Sequence, residues 1–141
     1  MGKAKKFEFI NHTADLGIRA RGRTLKELFL NLAEGMLETV ADTALVEEKE
    51  IEEILVEAPD VEELLVSFLR ELIFLQSARE WVFKSVEIKQ IKGNRLQAVA
   101  RGEKLDLDKH RMRTEIKAAT YHGLKVEKTN DEWQAEVIFD V

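Results

Sequence analysis

The sequence predicts a single-domain α+β protein, a layered sandwich of two amphipathic helices packed on a mostly antiparallel sheet. Three observations predict it. Two segments repeat their apolar residues at helical spacing, most of the remainder alternates at the strand period, and the two kinds do not alternate as a parallel sheet requires. With 141 residues the chain can bury one core without disulfides or a structural metal, so one domain over residues 1–141 is expected.

The elements follow in order. "FEFI" and "LGIRAR" are short strands flanking the turn "NHTAD". Thr24 and Glu27 form a capping box in "TLKE", and Leu25, Leu28, Phe29, Leu32 and Met36 then mark one apolar face, so the first helix is expected at about 24–39. "IEEILVEA" fits either period, and the early stop at Pro59 favours a strand. Asp60 is the expected N-cap of the second helix, with Glu63 three residues on. Leu64, Leu65, Phe68, Leu69, Leu72 and Ile73 give that helix a broad apolar face, to about residue 78. "WVFKSVEIKQIKGNRLQAVARGE" predicts a hairpin turning at Gly93-Asn94, and "HGLKVEKTNDEWQAEVIFDV" another turning at Thr129-Asn130-Asp131.

Composition excludes several chemistries. The chain has no cysteine, which removes disulfides, thiolate catalysis and Cys-type zinc sites. Net charge is −5, and residues 44–80 hold the deficit, with eleven acidic against three basic residues. No basic footprint of a nucleic-acid-binding domain stands out. The stretch "RGEKLDLDKHRMRTEIK" is locally basic and is expected to be a solvated mixed-charge loop. The apolar part of "MGKAKKFEFI" is too short for a signal peptide or a membrane span, so a cytoplasmic protein is expected. Phosphate loops, nucleophile elbows and zinc-protease motifs are missing, and the aromatics fall mainly on apolar phases, as core residues do.

Four stretches offer candidate chemistry. In "EWQAEVIFDV", Trp133, Ala135, Val137, Phe139 and Val141 share one phase, and Asp140 falls on the other with Gln134, Glu136 and Ile138. As the penultimate residue, Asp140 sets a carboxylate beside the α-carboxylate of Val141. Such neighbours repel unless they are solvated or recruit a hard, oxygen-liganded cation such as Ca²⁺, Mg²⁺ or Mn²⁺. A frayed, solvated terminus is the plainer alternative. In "HTADLGI", Asp15 with Gly17 two residues on suits an Asx-type turn. His12 alone suggests a hydrogen-bonded structural histidine, and a zinc set of His12, His110 and His122 matches no standard spacing. Glu115 and Lys117 would share a face if their segment is a strand, where Lys117 meets a carboxylate, a phosphate or water. His122-Gly123 is expected to mark a turn or bulge.

Taken together, "HTADLGI", "EIKAATYHGL" and the C-terminal "W-x-A-x-V-I-F-D-V", in this order with the helix "VEELLVSFLRELIFL" between, resemble the archease family. The resemblance runs from Phe7 to Val141 with no departure at these motifs. It implies a small α+β accessory protein, not itself an enzyme, that acts on the RtcB-type RNA ligase of tRNA splicing. That action would promote the ligase's guanylylation and multiple turnover and broaden its nucleotide use. The ligase, rather than this chain, would use GTP and Mn²⁺, with any contact to tRNA or GTP made in the complex. The resemblance also implies a divalent cation, foremost Ca²⁺, held by Asp15, Asp140 and Val141. Asp15 would complete the carboxylate pair if its turn, or the strand after it, lies beside the last strand. Lys117 is then the candidate contact to ligase or phosphate, and His12 a weaker neighbour. Two alternatives stay open: a metal-dependent hydrolase or nuclease using Asp15, Asp140 and His12, and a general chaperone or protein-interaction module.

Overall fold

Period and capping place the elements, and the computed structural model, which describes residues 6–11 and 15–141, shows how they assemble. β1 (Phe7–Asn11) and β2 (Leu16–Gly22) precede α1 (Leu25–Val40); β3 (Glu50–Glu57) leads to α2 (Val61–Ala78); β4 (Trp81–Lys92), β5 (Arg95–Lys104), β6 (Ala118–Ala119), β7 (Val126–Thr129) and β8 (Glu132–Asp140) follow. Both helices start where their caps predict. Thr24 Oγ1 accepts from the Glu27 N–H at 3.1 Å, and an Asp60 carboxylate oxygen accepts from the Glu63 N–H at 2.8 Å. Glu27 reaches back to the Arg23 N–H at 3.2 Å, one residue before the position a standard capping box uses.

Every strand pair is antiparallel, but the strands form two sheets where one was expected. One runs β1-β2-β8, with β6 and β7 sharing the far edge of β8; the other runs β3-β5-β4. The reason lies in the helices, which are buried on more than one side and therefore need more than one surface to cover them. α1 contacts β1, β2 and β8 of the first sheet and β4 of the second, while α2 meets the second sheet and β6. Phe29 of α1 and Phe68 of α2, both fully buried, stack with ring centroids 6.3 Å apart and join the helices. Burying each ring contributes about 1.5–3 kcal/mol relative to exposure.

The turns follow their residues. Gly93 takes φ 60° between β4 and β5, and Asn130 and Asp131 take φ 51° and 65° between β7 and β8, as a two-residue hairpin loop of this hand requires. Gly123, at φ 64°, turns the chain between β6 and β7 as His122-Gly123 suggested. Gly17 does not belong to a turn. It lies within β2, where an added Cβ would meet Ile10 Cβ at 3.2 Å and Ile138 Cδ1 at 3.3 Å. Phe9, Phe74 and Tyr121 are exposed, the exceptions to a mainly core placement of the aromatics. No helix among the described residues is long and apolar enough to cross a membrane.

Candidate functional site

The geometry at the end of β8 follows from register. Leu16 pairs with Phe139 across β2 and β8. Asp15 immediately precedes Leu16 and Asp140 immediately follows Phe139, so the two aspartates occupy opposed positions at the next step of the ladder. Directly opposed residues share a sheet face. The phase of each strand says which: Ile18, Ala20, Val137 and Phe139 are buried on the helix side, and the aspartates lie on the outer phase. On the other side of β8, Ala118 pairs with Asp140, and the Lys117 N–H donates to the Asp140 carbonyl at 2.8 Å. Asp140, Val141 and Lys117 are exposed and Asp15 is half-buried.

Three segments far apart in sequence thus meet at one sheet corner. Register supports the strand placement on which a third oxygen donor depended, because β2 does lie beside β8. Only Ala118–Ala119 of the segment around Lys117 is strand, yet Ile116 is buried while Glu115 and Lys117 are exposed, so the alternation holds. The alternative of an ion pair for Lys117 is not realised: among the described residues no carboxylate lies within 4.0 Å of its ammonium. Among the described residues, too, no three His, Asp or Glu side chains gather as a metal cage. A cation at this corner would therefore rest on two aspartates and main-chain oxygen, with water or a partner completing its shell.

The histidines divide. His12 lies outside the described residues. The His110 ring is buried, with Nδ1 accepting from the Asp106 N–H at 3.0 Å and Nε2 facing Glu103 Oε2 at 2.9 Å, so the ring donates from Nε2. Both nitrogens are occupied, which removes His110 from any zinc set.

A family model for the archease protein family (MTH1598/TM1083) matches residues 7–141. The chain belongs to the archease family. It is 41% identical over 143 residues to the protein archease of Methanosarcina acetivorans, covering 99% of this chain and 98% of that one. It is also 41% identical over 141 residues to the protein archease of Pyrococcus abyssi, covering 97% and 99%. Among solved structures, Methanobacterium thermoautotrophicum protein 1598 superposes with a TM-score of 0.82 at 33% identity, over 98% of this chain and 100% of that one. An archease from Thermotoga maritima, described as a possible chaperone, gives 0.65 at 26%, over 100% and 98%. The two-helix, antiparallel α+β architecture is the architecture of these family members.

Sequence reading missed one cluster outright. The stretch expected to be a solvated loop holds two buried polar residues, Glu103 and His110. Glu103 accepts from the Glu47 N–H at 2.8 Å, faces His110, and pairs with Lys109 at 2.9 Å. Those interactions, with the Glu47 N–H foremost, hold its carboxyl at about 2, well below the ordinary 4.5. The cluster pins the segment after β5 to the segment before β3. The sequence carries no signal for it, because Glu103 and His110 are flanked by charges, Arg101 and Lys104 around the one and Lys109 and Arg111 around the other.

Proposed function

We propose that this chain activates an RtcB-type RNA ligase of tRNA splicing in the cytoplasm, promoting guanylylation, multiple turnover and broader nucleotide use. A divalent cation held by Asp15, Asp140 and Val141 supports that action. The observation that carries the metal is the register that opposes Asp15 to Asp140 across β2 and β8, one residue from Val141. An all-oxygen donor set of this charge suits a hard cation, Ca²⁺ first and Mg²⁺ or Mn²⁺ next. Bound there, the cation would supply a Lewis-acidic centre with positions left for a phosphate or a carboxylate of the ligase.

The chain's own residues do the rest. Asp15 and Asp140 provide charge on the outer face of the sheet, where a partner can reach it. Lys117, tied to β8 through its backbone and without a carboxylate partner among the described residues, leaves its ammonium available to a phosphate or to the ligase. Family membership supports the accessory role, since the archease of Thermotoga maritima is described as a possible chaperone.

The test is a turnover assay. Catalytic amounts of the ligase from the same organism are mixed with excess cleaved RNA, GTP and Mn²⁺, and turnovers are counted with and without this protein. The Asp15→Ala, Asp140→Ala and Lys117→Ala variants follow. Wild type should raise turnover, and the aspartate variants should not. No gain from wild type sinks the ligase reading, and full gain from the aspartate variants sinks the role of the metal. RNA cleavage without ligase would favour a hydrolase, and equal protection of unrelated unfolding proteins would favour a general chaperone.

A further inference from the structure

We propose that the outer face of the five-stranded sheet carries a phosphate-binding pocket, built around Arg21 and Lys125, distinct from the aspartate corner. β8 has no strand partner on its far side between Ala135, where β7 ends its pairing, and Ile138, whose carbonyl accepts from the Thr120 N–H at 2.9 Å. There the chain bows out through Gly123, whose φ of 64° makes the turn. The bow opens a cavity of about 330 Å³ lined by Arg19, Arg21, Gly123, Lys125, Glu127 and Glu136, with Gln134 and Ala135 at its base.

Charge in the pocket is not mutually cancelled. Arg19 is spoken for, bridging Glu8 at 3.2 Å and Glu136 at 2.9 Å, which also ties up Glu136. Arg21 and Lys125 have no ion-pair partner among the described residues, and Glu127 is the one carboxylate left to oppose them in the pocket. The lining holds three cations, Arg19, Arg21 and Lys125, against two carboxylates, Glu127 and Glu136, and is positive by one charge in a chain of net charge −5, which favours an anion. The lining is almost wholly polar, and its apolar members are a glycine and an alanine, so a peptide side chain finds no apolar purchase. A tetrahedral oxyanion suits a guanidinium fork beside an ammonium.

Position gives the pocket its use. Arg19 and Arg21 lie on the same phase of β2 as Asp15, and Arg21 pairs with Gln134 of β8. At about 3.4 Å per residue, the six steps along β8 from Gln134 to Asp140 put pocket and corner about 20 Å apart on one face. An RNA strand whose phosphate rests in the pocket has its next few nucleotides directed along the sheet. RNA as the source of the phosphate rests on the ligase reading above; a free nucleotide is the other source.

The experiment needs neither ligase nor metal. Binding of a short fluorescein-labelled single-stranded RNA, and separately of GTP, is measured in EDTA across a salt series. The proteins are wild type, Arg21→Ala/Lys125→Ala, and Lys89→Ala as a control on the other sheet, each checked for native circular dichroism. If RNA is the source, the double cation variant binds it about tenfold more weakly, and its log K against log salt slope is shallower by about 1.4, two phosphate contacts at about 0.7 each. If a nucleotide is the source, GTP alone shows the dependence on Arg21 and Lys125. The Lys89 variant should bind as wild type does. The proposal is overturned if neither RNA nor GTP binding depends on Arg21 and Lys125. Because the ligase is absent, failure here leaves the turnover result untouched, and failure of turnover leaves this one standing.

Discussion

Two glycines, Gly102 and Gly93, separate steric from conformational effects in one hairpin. Gly102 of β5 pairs with Phe83 of β4, next to the register shift between Phe83 and Ser85. The irregularity presses β4 backbone onto the Gly102 α-carbon: a methyl group there would overlap the Val82 carbonyl oxygen and lie 2.8 Å from Phe83 Cα. The backbone of β4 cannot rotate away as a side chain tip does, so Gly102→Ala should cost about 3 kcal/mol, the upper end of ordinary overpacking. Gly93, at the hairpin turn, has open space around it and a φ of 60°. Gly93→Ala should cost only the left-handed penalty, about 1–2 kcal/mol.

For a chain of 141 residues the unfolding entropy is about 0.3 kcal/mol/K, so each kcal/mol lowers Tm by about 3 °C. Gly102→Ala should therefore melt about 10 °C below wild type, and Gly93→Ala about 3–6 °C below. Thermal melts followed by far-UV circular dichroism read both. The packing argument is refuted if Gly102→Ala melts no lower than Gly93→Ala.

Three further predictions follow. Glu103 is held at about 2 in the folded protein against an ordinary 4.5, so its contribution to stability is complete above the higher value and disappears as pH falls towards the lower. Urea midpoints of wild type and Glu103→Gln should differ most near pH 6 and converge towards pH 2; a gap that stays constant across that window contradicts the assignment. Asp60→Ala removes the oxygen that receives the Glu63 N–H and should cost about 1 kcal/mol, seen as a lower urea midpoint with an unchanged slope. Asp140→Asn should abolish the calorimetric Ca²⁺ binding expected of the wild type while leaving Tm in EDTA within about 2 °C, since the residue is exposed. Undiminished binding in that variant moves the site elsewhere.

Local physics made much of this legible in the sequence. Thr24 and Asp60 announce helix starts because an N-cap needs a short oxygen-bearing side chain, and the glycine and asparagine turns announce hairpins because their loops need positive φ. Pairing between distant strands leaves no such mark. Neither the division into two sheets nor the Leu16–Phe139 register follows from a period of two, which is satisfied by any in-phase partner. Ala118–Ala119 is too short to show a period at all. Glu103 and His110 were hidden because burial of a charged residue depends on partners, here the Glu47 N–H and the Asp106 N–H, that composition does not display. Asp15 and Asp140 stood out as residues, while their opposition needed the fold.

Arg19 and Glu136 are 117 residues apart, and the β2–β8 pairing that joins them also sets the aspartates against each other. During synthesis, then, β2 leaves the ribosome long before its partner strand exists, and a nascent chain lacking β8 cannot assemble the corner. A product truncated before β8 therefore has no corner, because Asp15 is left without the strand that opposes it.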